Sequence, residues 1–200
     1  ITAGRTEEPL DPIRCFSNRS TGKMGYALGE EAEKLGAEVT IISGPVSINK
    51  PECVNVIEVR TAEEMYKEVM KHEAEQNIII AAAAVADYRP EYTADKKIKK
   101  SDTLTVNFVR NKDILLELGK IKRDKILVGF AAESENLTEN AKEKLQKKNL
   151  DMIVANSVDN FGTDDNKITI IGKNFETDFE KMEKMKAAKE IWKTIKEKLL

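Results

Sequence analysis

Five short apolar runs constrain the fold of this chain more than any other feature. They are Ala37 to Ser43, Val54 to Val59, Ile78 to Ala84, Ile126 to Ala131 and Met152 to Ala155. Each is β-branched, bounded by turn formers and free of polar alternation, which is how a strand buried on both faces reads. The opening residues read as part of a further strand. Between the runs the apolar residues fall at helical spacing, so the expected class is α/β, a parallel sheet flanked by helices in β-α-β-α-β order. The first helix is expected from about Lys23 to Leu35, stopping at Gly36. The second follows Thr61 as its cap with Glu63 and Glu64 in the first turn, and a third spans Asn136 to Lys147.

Two stretches depart from this rhythm. Leu104 to Val109 and Lys167 to Ile171 alternate polar with apolar residues, as strands wetted on one face do. They are expected outside the main sheet, as a small β flap or dimerisation arm. From Phe179 to Leu199 the apolar residues Phe179, Met182, Ile191, Ile195 and Leu199 predict one covering helix. No repeat or linker divides the 200 residues, so a single domain over 1–200 is expected.

Charge and composition exclude several classes. Lys and Arg total 33 against 35 Asp and Glu, which argues against a protein that coats nucleic acid or anionic lipid with positive charge. No apolar run approaches the ~20 residues of a membrane span and no signal peptide opens the chain, so a cytoplasmic location is expected. Two cysteines and one histidine offer neither a disulfide framework nor zinc-ligand spacing. Cys15 and Cys53 read as space fillers and His72 as solvent-facing. The chain starts without methionine and inside a strand, so it is expected to be excised from a longer one.

Four stretches carry candidate chemistry. "SNRSTGKMG", Ser17 to Gly25, enters a helix and offers free backbone N–H groups to an anion; Gly22 and Gly25 either admit a ligand to the backbone or merely ease a tight turn. It lacks the spacing of a Walker A loop. "AAAAVADYRP", Ala81 to Pro90, ends a buried strand in small side chains followed by Asp87 and Arg89, a pocket floor or a site of close helix packing. "KKIKK", Lys96 to Lys100, puts Lys97 and Lys99 on one face if extended, facing solvent or a triphosphate. On the helix after "GFAAESEN", Lys144 and Lys148 share a face, either in solvent or around a phosphate.

Together "TAGRTEEPLDPIR", "SNRSTGKMG", "AAAAVADYRP", "KIKK" and "GFAAE…KLQKKNLDMIVAN" resemble phosphopantothenoylcysteine synthetase, the CoaB-type ligase of coenzyme A biosynthesis, in order and spacing over nearly the whole chain. The resemblance implies a Rossmann-like fold and a reaction that joins 4′-phosphopantothenate to L-cysteine through an acyl-cytidylate, with CTP consumed and CMP and pyrophosphate released. It assigns catalysis to Asn18, Lys97 and Arg14. Asn18 would hold the acyl carbonyl, and Lys97 would neutralise charge on the phosphate, with Lys96 as its near neighbour. Nucleotide contacts carry over to Ala81, Ala82, Ala83, Asp87, Lys97, Lys112, Asp113, Ile114, Leu115, Phe130, Lys144 and Lys148. Substrate contacts fall on Gly22, Lys23, Ala84 and Arg89.

The resemblance also implies Mg²⁺ carried by the CTP, a homodimer, and a fused flavin-dependent phosphopantothenoylcysteine decarboxylase domain. Arg5, Thr21 and Lys112 depart from the family pattern without removing an assigned role. Two other readings are open. A short-chain NAD(P) reductase is suggested by Tyr92 and Lys96 at YxxxK spacing, although Pro90 disfavours the helix this needs. A non-catalytic nucleotide sensor would use the same crevice.

Overall fold

The computed structural model describes residues 1–133, 136–157 and 165–200. In chain order its strands are β1 (Thr2–Ala3), β2 (Glu7–Pro9), β3 (Cys15–Ser17), β4 (Thr40–Ser43), β5 (Asn55–Glu58), β6 (Ile78–Ala81) and β7 (Tyr88–Pro90). They continue as β8 (Phe108–Arg110), β9 (Ile126–Glu133), β10 (Met152–Ser157), β11 (Asp165–Asn166), β12 (Ile168–Gly172), β13 (Glu176–Asp178) and β14 (Met182–Glu183). The helices are α1 (Lys23–Lys34), α2 (Ala62–His72), α3 (Ile114–Ile121), α4 (Leu137–Lys147) and α5 (Lys184–Lys198).

All five apolar runs become strands of one sheet, in the order β13-β12-β10-β9-β6-β1-β4-β5. The six strands from β10 to β5 run parallel, and β12 and β13 join antiparallel. Successive side chains of each strand enter opposite layers. Ile79, Leu127 and Ile153 pack in one core with Met65 and Val69 of α2, Leu115 and Leu118 of α3, and Leu145 of α4. Ile80, Val128, Met152 and Val154 pack in the other with Leu28 of α1 and Ile191 and Ile195 of α5. Both faces of the central strands are therefore dry, which is why their runs are almost wholly apolar, whereas the edge strand β5 exposes Asn55 and Glu58.

The helix signals were sound where a cap or a glycine marks the end. Thr61 and Glu64 form a reciprocal capping box at α2, worth about 1 kcal/mol for the cap residue. Gly36, at φ +86°, follows α1 and ends it. Helix α3 went unrecognised; Asp113 caps it by accepting from the Leu116 N–H at 3.0 Å.

Several expectations need correction. Lys167 to Ile171 does not lie outside the sheet, because Ile168 and Ile170 pack with α5 while Ile171 joins the opposite core. Thr169 can be buried there since its hydroxyl donates to Asp178 Oδ1 at 2.6 Å. Of Leu104 to Val109 only Phe108 and Val109 enter a strand, which pairs with β7 rather than with Lys167 to Ile171. Helix α5 starts at Lys184, because 176–178 pairs with β12 and 182–183 with β11, so Phe179 and Met182 lie before it. No helix joins β4 to β5; Val46, Ile48 and Val54 of the connecting loop cover Ile41 instead. Cys15 and Cys53 are exposed and fill no space. Among the described residues no helix is long and apolar enough to cross a membrane.

Helix α1 lies against β1 through a missing side chain. A Cβ on Gly25 would stand 2.5 Å from the Ala3 Cβ and 3.0 Å from its Cα. We expect Gly25→Ala to lower unfolding stability by about 1–3 kcal/mol through this overpacking; urea denaturation with an unchanged slope checks it.

Candidate functional site

From β1 the chain moves to β4 and β5 on one side, and from β6 it moves to β9 and β10 on the other. The adjoining carboxyl ends of β1 and β6 are thus the point where strand order reverses, the place where α/β sheets open a crevice. Two clefts meet there. One, of about 270 Å³, runs from Ser20 to Gly25 past Ala82 to Ala84 to Asn156, Asn166 and Lys184. The second, of about 140 Å³, is lined by Ala81, Asn111, Lys112 to Leu115 and Lys148. Ala83, Val85, Asp87, Phe130 and Lys144 belong to both. A vestibule of about 530 Å³ opens beyond the second, with Lys144, Lys147, Lys148 and Arg110 on its walls.

The first cleft receives the start of α1. Gly22 takes the cap position at φ +79°, no side chain caps the helix, and no acid stands in its first turn. The N–H groups of that turn and the positive end of the helix dipole therefore face the cleft without an internal anion. The glycines themselves answer to packing: a Cβ on Gly22 would meet Val46 at 2.4 Å, and Gly25 fits against Ala3. Admission of a ligand is thus not what requires them.

The paired lysines of α4 are not simply solvated. Lys144 donates to the Phe130 carbonyl at 2.8 Å. Lys148 pairs with Asp113 at 2.7 Å. Burial would raise the Asp113 carboxyl, but the Lys148 hydrogen bond, the Leu116 N–H and the charges of Lys148 and Lys144 outweigh it and hold the group below its ordinary value.

Of the sequence-derived residues, Gly22, Lys23, Ala81 to Ala84, Asp87, Lys112 to Leu115, Phe130, Lys144 and Lys148 are brought together here. Four others stand outside the cleft linings. Asn18 bridges two loops, its Nδ2 donating to the Ala84 carbonyl at 2.7 Å and its Oδ1 accepting from the Ser20 N–H at 2.9 Å. Arg89 donates to the Arg110 carbonyl and to Asn111 Oδ1, behind the cleft wall. Lys97 is exposed on an irregular segment rather than a strand. Arg14 comes from the β2–β3 hairpin and lines none of these clefts.

Arg14 instead completes a clamp. Buried Asp11 accepts from its Nε at 2.9 Å and Nη2 at 2.6 Å. It also accepts from the N–H groups of Ile13, Arg14 and Ile98. Arg14 Nη2 then donates to the Ile98 carbonyl at 2.9 Å. Both polar groups of the Ile98 peptide unit's residue are gripped, which anchors the lysine segment to the hairpin.

Asn111, Asn156, Asn166 and Lys184 were missed. Asn156 had a signal, a polar residue near the carboxyl end of a buried strand; Asn111 holds the Ala86 carbonyl at 2.9 Å with nothing in sequence to announce it. Tyr92 and Lys96 lie on no helix, so the reductase geometry does not form. Ser134 and Glu135 of "GFAAESEN" lie outside the described residues.

The family model for the DNA/pantothenate metabolism flavoprotein C-terminal domain matches residues 1–199. The chain belongs to that family. The chain is 52% identical over 199 residues, 98% of its length, to the coenzyme A biosynthesis bifunctional protein CoaBC of Borreliella burgdorferi, and covers 51% of that protein. To the CoaBC of Bacillus subtilis it is 48% identical over 180 residues, 87% of the chain and 44% of the relative. The chain thus spans about half the length of these relatives. The solved C-terminal domain of a CoaBC superposes with a TM-score of 0.85 at 39% identity, over 97% of this chain and 91% of that one. A Cab2 variant solved with phosphopantothenate-cysteine shares the fold at 17% identity, with a TM-score of 0.79 over 98% and 85% of the two chains.

The side-chain bond from Arg14 holds the Asp11 carboxyl far below the usual carboxylate range; burial opposes this, and the backbone N–H groups add to it. A depressed folded-state value means the stabilisation is full above the ordinary 3.8 and is lost as pH falls through the lower folded value. The stability gap between wild type and Asp11→Asn is therefore expected to be constant at neutral pH and to close in acid, measured by urea unfolding across pH.

Proposed function

We propose that this domain joins 4′-phosphopantothenate to L-cysteine, activating the acid with CTP through an acyl-cytidylate and releasing pyrophosphate and then CMP. The observation that carries this reading is the pair of clefts sharing Phe130, Asp87 and Lys144 at the strand reversal, one of them closed by the uncapped start of α1. Two ligands that must react can meet across such a shared wall. The names of the CoaBC relatives support the same pathway, and the Cab2 variant, which shares the fold, is solved with phosphopantothenate-cysteine.

A carboxylate is a poor acyl donor until one of its oxygens becomes part of a good leaving group. In the first step a carboxylate oxygen attacks the α-phosphorus, an acyl O–P bond forms, and the bond to pyrophosphate breaks. In the second the cysteine amine attacks the activated carbonyl, CMP leaves with the bonding pair, and the nitrogen loses its proton. The α1 N-terminus and the α4 lysines answer the phosphate charge, and Phe130 offers a face to the base. Asn18 has a second amide N–H beyond the one given to Ala84, and we assign it to the acyl carbonyl.

Mg²⁺ enters this proposal with the triphosphate, whose oxygens are its main ligands and whose charge it offsets. Asp87, at the mouth common to the clefts, is the carboxylate of this chain that would face it. Among the described residues no three His, Cys, Asp or Glu side chains gather to hold a metal.

We assign a homodimer to the hairpin arm. Phe16 and Phe108 meet edge to face at 4.9 Å and are both exposed, and Ile13, Tyr88, Tyr92 and Leu104 of the neighbouring segments are exposed as well. Apolar surface of this kind marks an interface. Lys97 stands outside the clefts in the single chain, so its role at the α-phosphate requires this arm to be brought over a nucleotide, which pairing of two copies would do. The bifunctional relatives, twice as long, support a fused flavin-dependent decarboxylase acting on the product.

With CTP, Mg²⁺ and 4′-phosphopantothenate, pyrophosphate release is expected without cysteine and a cysteine-containing product with it; absence of release with CTP, ATP and UTP alike would sink the reading. Asn18→Asp sets a carboxylate oxygen against the Ala84 carbonyl and removes the remaining N–H. It should release pyrophosphate yet slow product formation by about 10²-fold or more, read by single-turnover analysis of both products. Phe16→Asp with Phe108→Asp should shift the species seen by analytical ultracentrifugation from dimer to monomer while the far-ultraviolet circular dichroism stays unchanged.

A further inference from the structure

Arg89 and Asn111 form a joint behind the second cleft. Asn111 follows β8, is 8% exposed, and has both polar atoms of its side chain in use. Its Nδ2 donates to the Ala86 carbonyl at 2.9 Å, and its Oδ1 accepts from Arg89 Nη1 at 3.0 Å. Its backbone N–H donates to the Asp87 carbonyl at 2.8 Å. Asn111 therefore ties Ala86 and Asp87, the latter in the wall common to both clefts, to the start of the loop Lys112 to Leu115, which lines the second cleft and not the first.

The joint works in one orientation of the carboxamide only. Its oxygen and nitrogen are nearly equal in shape, and rotation about the terminal torsion is soft. A half-turn would set Oδ1 against the Ala86 carbonyl, two acceptors with no proton between them. Arg89 selects the working orientation, because a guanidinium offers donors alone and so faces the amide oxygen, not the NH₂. The same Nη1 also donates to the Arg110 carbonyl at 3.1 Å, and the pairing of β7 with β8 sets Arg89 opposite Val109. The donor is thus fixed on the ribbon that carries both residues. Farther along the loop Asp113 caps α3 and pairs with Lys148, so the loop is gripped at two points. A nucleotide entering between this loop and Asp87 finds the wall already ordered, and less ordering on binding means tighter binding.

We propose that Arg89 is a positioning residue for the nucleotide cleft, acting through the Asn111 carboxamide, and not the substrate contact that the family pattern assigns to it. This rests on the nucleotide reading above.

The test is a double-mutant cycle of Arg89→Ala, Asn111→Ala and the two together, read as the Kd for CTP with Mg²⁺ by titration calorimetry and as the KM for 4′-phosphopantothenate in pyrophosphate release. Each single variant is expected to weaken CTP binding by about tenfold and to leave the KM for the acid within about twofold of wild type. The double variant should bind CTP no more weakly than Asn111→Ala alone, since a group that acts through another contributes nothing once that other is gone. Effects that multiply in the double variant overturn the proposal. So does a raised KM for the acid in Arg89→Ala with CTP binding unchanged, which would return Arg89 to the substrate. A lowered thermal midpoint with neither constant altered overturns it too, as the behaviour of a merely structural pair. Arg89 is exposed, so its truncation spares the core; should Asn111→Ala not fold, Asn111→Asp, which keeps the shape but sets an oxygen against the Ala86 carbonyl, takes its place. Failure of wild type to bind CTP overturns the nucleotide reading and this proposal with it, whereas binding by wild type that the variants leave unchanged overturns this proposal alone.

Discussion

Beyond Ala81 the chain leaves its neighbours in the sheet without yet reaching water, and every backbone group there has to find another partner. The solution is a row of side chains and chain ends from β1 and its hairpin. Ala83 N–H donates to Thr2 Oγ1 at 3.2 Å, Ala84 N–H to the Gly4 carbonyl at 2.8 Å, and Ala86 N–H to Thr6 Oγ1 at 2.9 Å. The Ala84 carbonyl accepts from Asn18, the Ala86 carbonyl from Asn111. The floor of both clefts is thus held from both sides without a strand occupying it, and this is what leaves room for a ligand at the strand reversal.

The same requirement explains why so many polar residues of the amino-terminal third are buried. Thr6 and Glu8 are almost fully inaccessible, yet each is satisfied. Thr6 supplies its hydroxyl to Ala86 and its carbonyl to Ser17 Oγ, and Glu8 accepts from the Ala62 N–H at the start of α2. The hairpin is therefore bonded to the floor of the crevice on one side and to a helix on the other. Through the Asp11 clamp it also carries the lysine segment, so residues distant in sequence are tied to the site by hydrogen bonds.

What the sequence disclosed follows from where the physical signal is local. Strands buried on both faces write themselves as β-branched runs, and a capping box or a glycine at positive φ is a short pattern with one structural meaning, so the parallel strands, α1 and α2 were legible, and α4 from its helical spacing; the antiparallel β12 and β13 were not. The role of Thr169 was not, because its burial depends on Asp178, nine residues away and across a strand pair. Helix α3 has only eight residues, too few for a clear period, and its cap residue Asp113 is also the partner of Lys148. Within the site, the backbone-lining alanines and the α4 lysines were found through motif and family pattern. The positions of Asn18, Arg14 and Lys97 relative to the clefts were not, since they depend on a hairpin whose strands are three residues each and carry no periodicity.

The alanines illustrate how one residue type serves two demands at once. Ala81 and Ala83 pack against the core that holds α2, α3 and α4, and Ala82 packs against the core that holds α1 and α5. Small size is therefore needed for the close approach of both helical layers. Ala83 also stands in the wall common to the two clefts, where each added methyl would occupy space in both at once. Helix packing and ligand space are not competing explanations for this stretch: a backbone thin enough to be covered from both faces is, at its free end, thin enough to let two ligands approach one another.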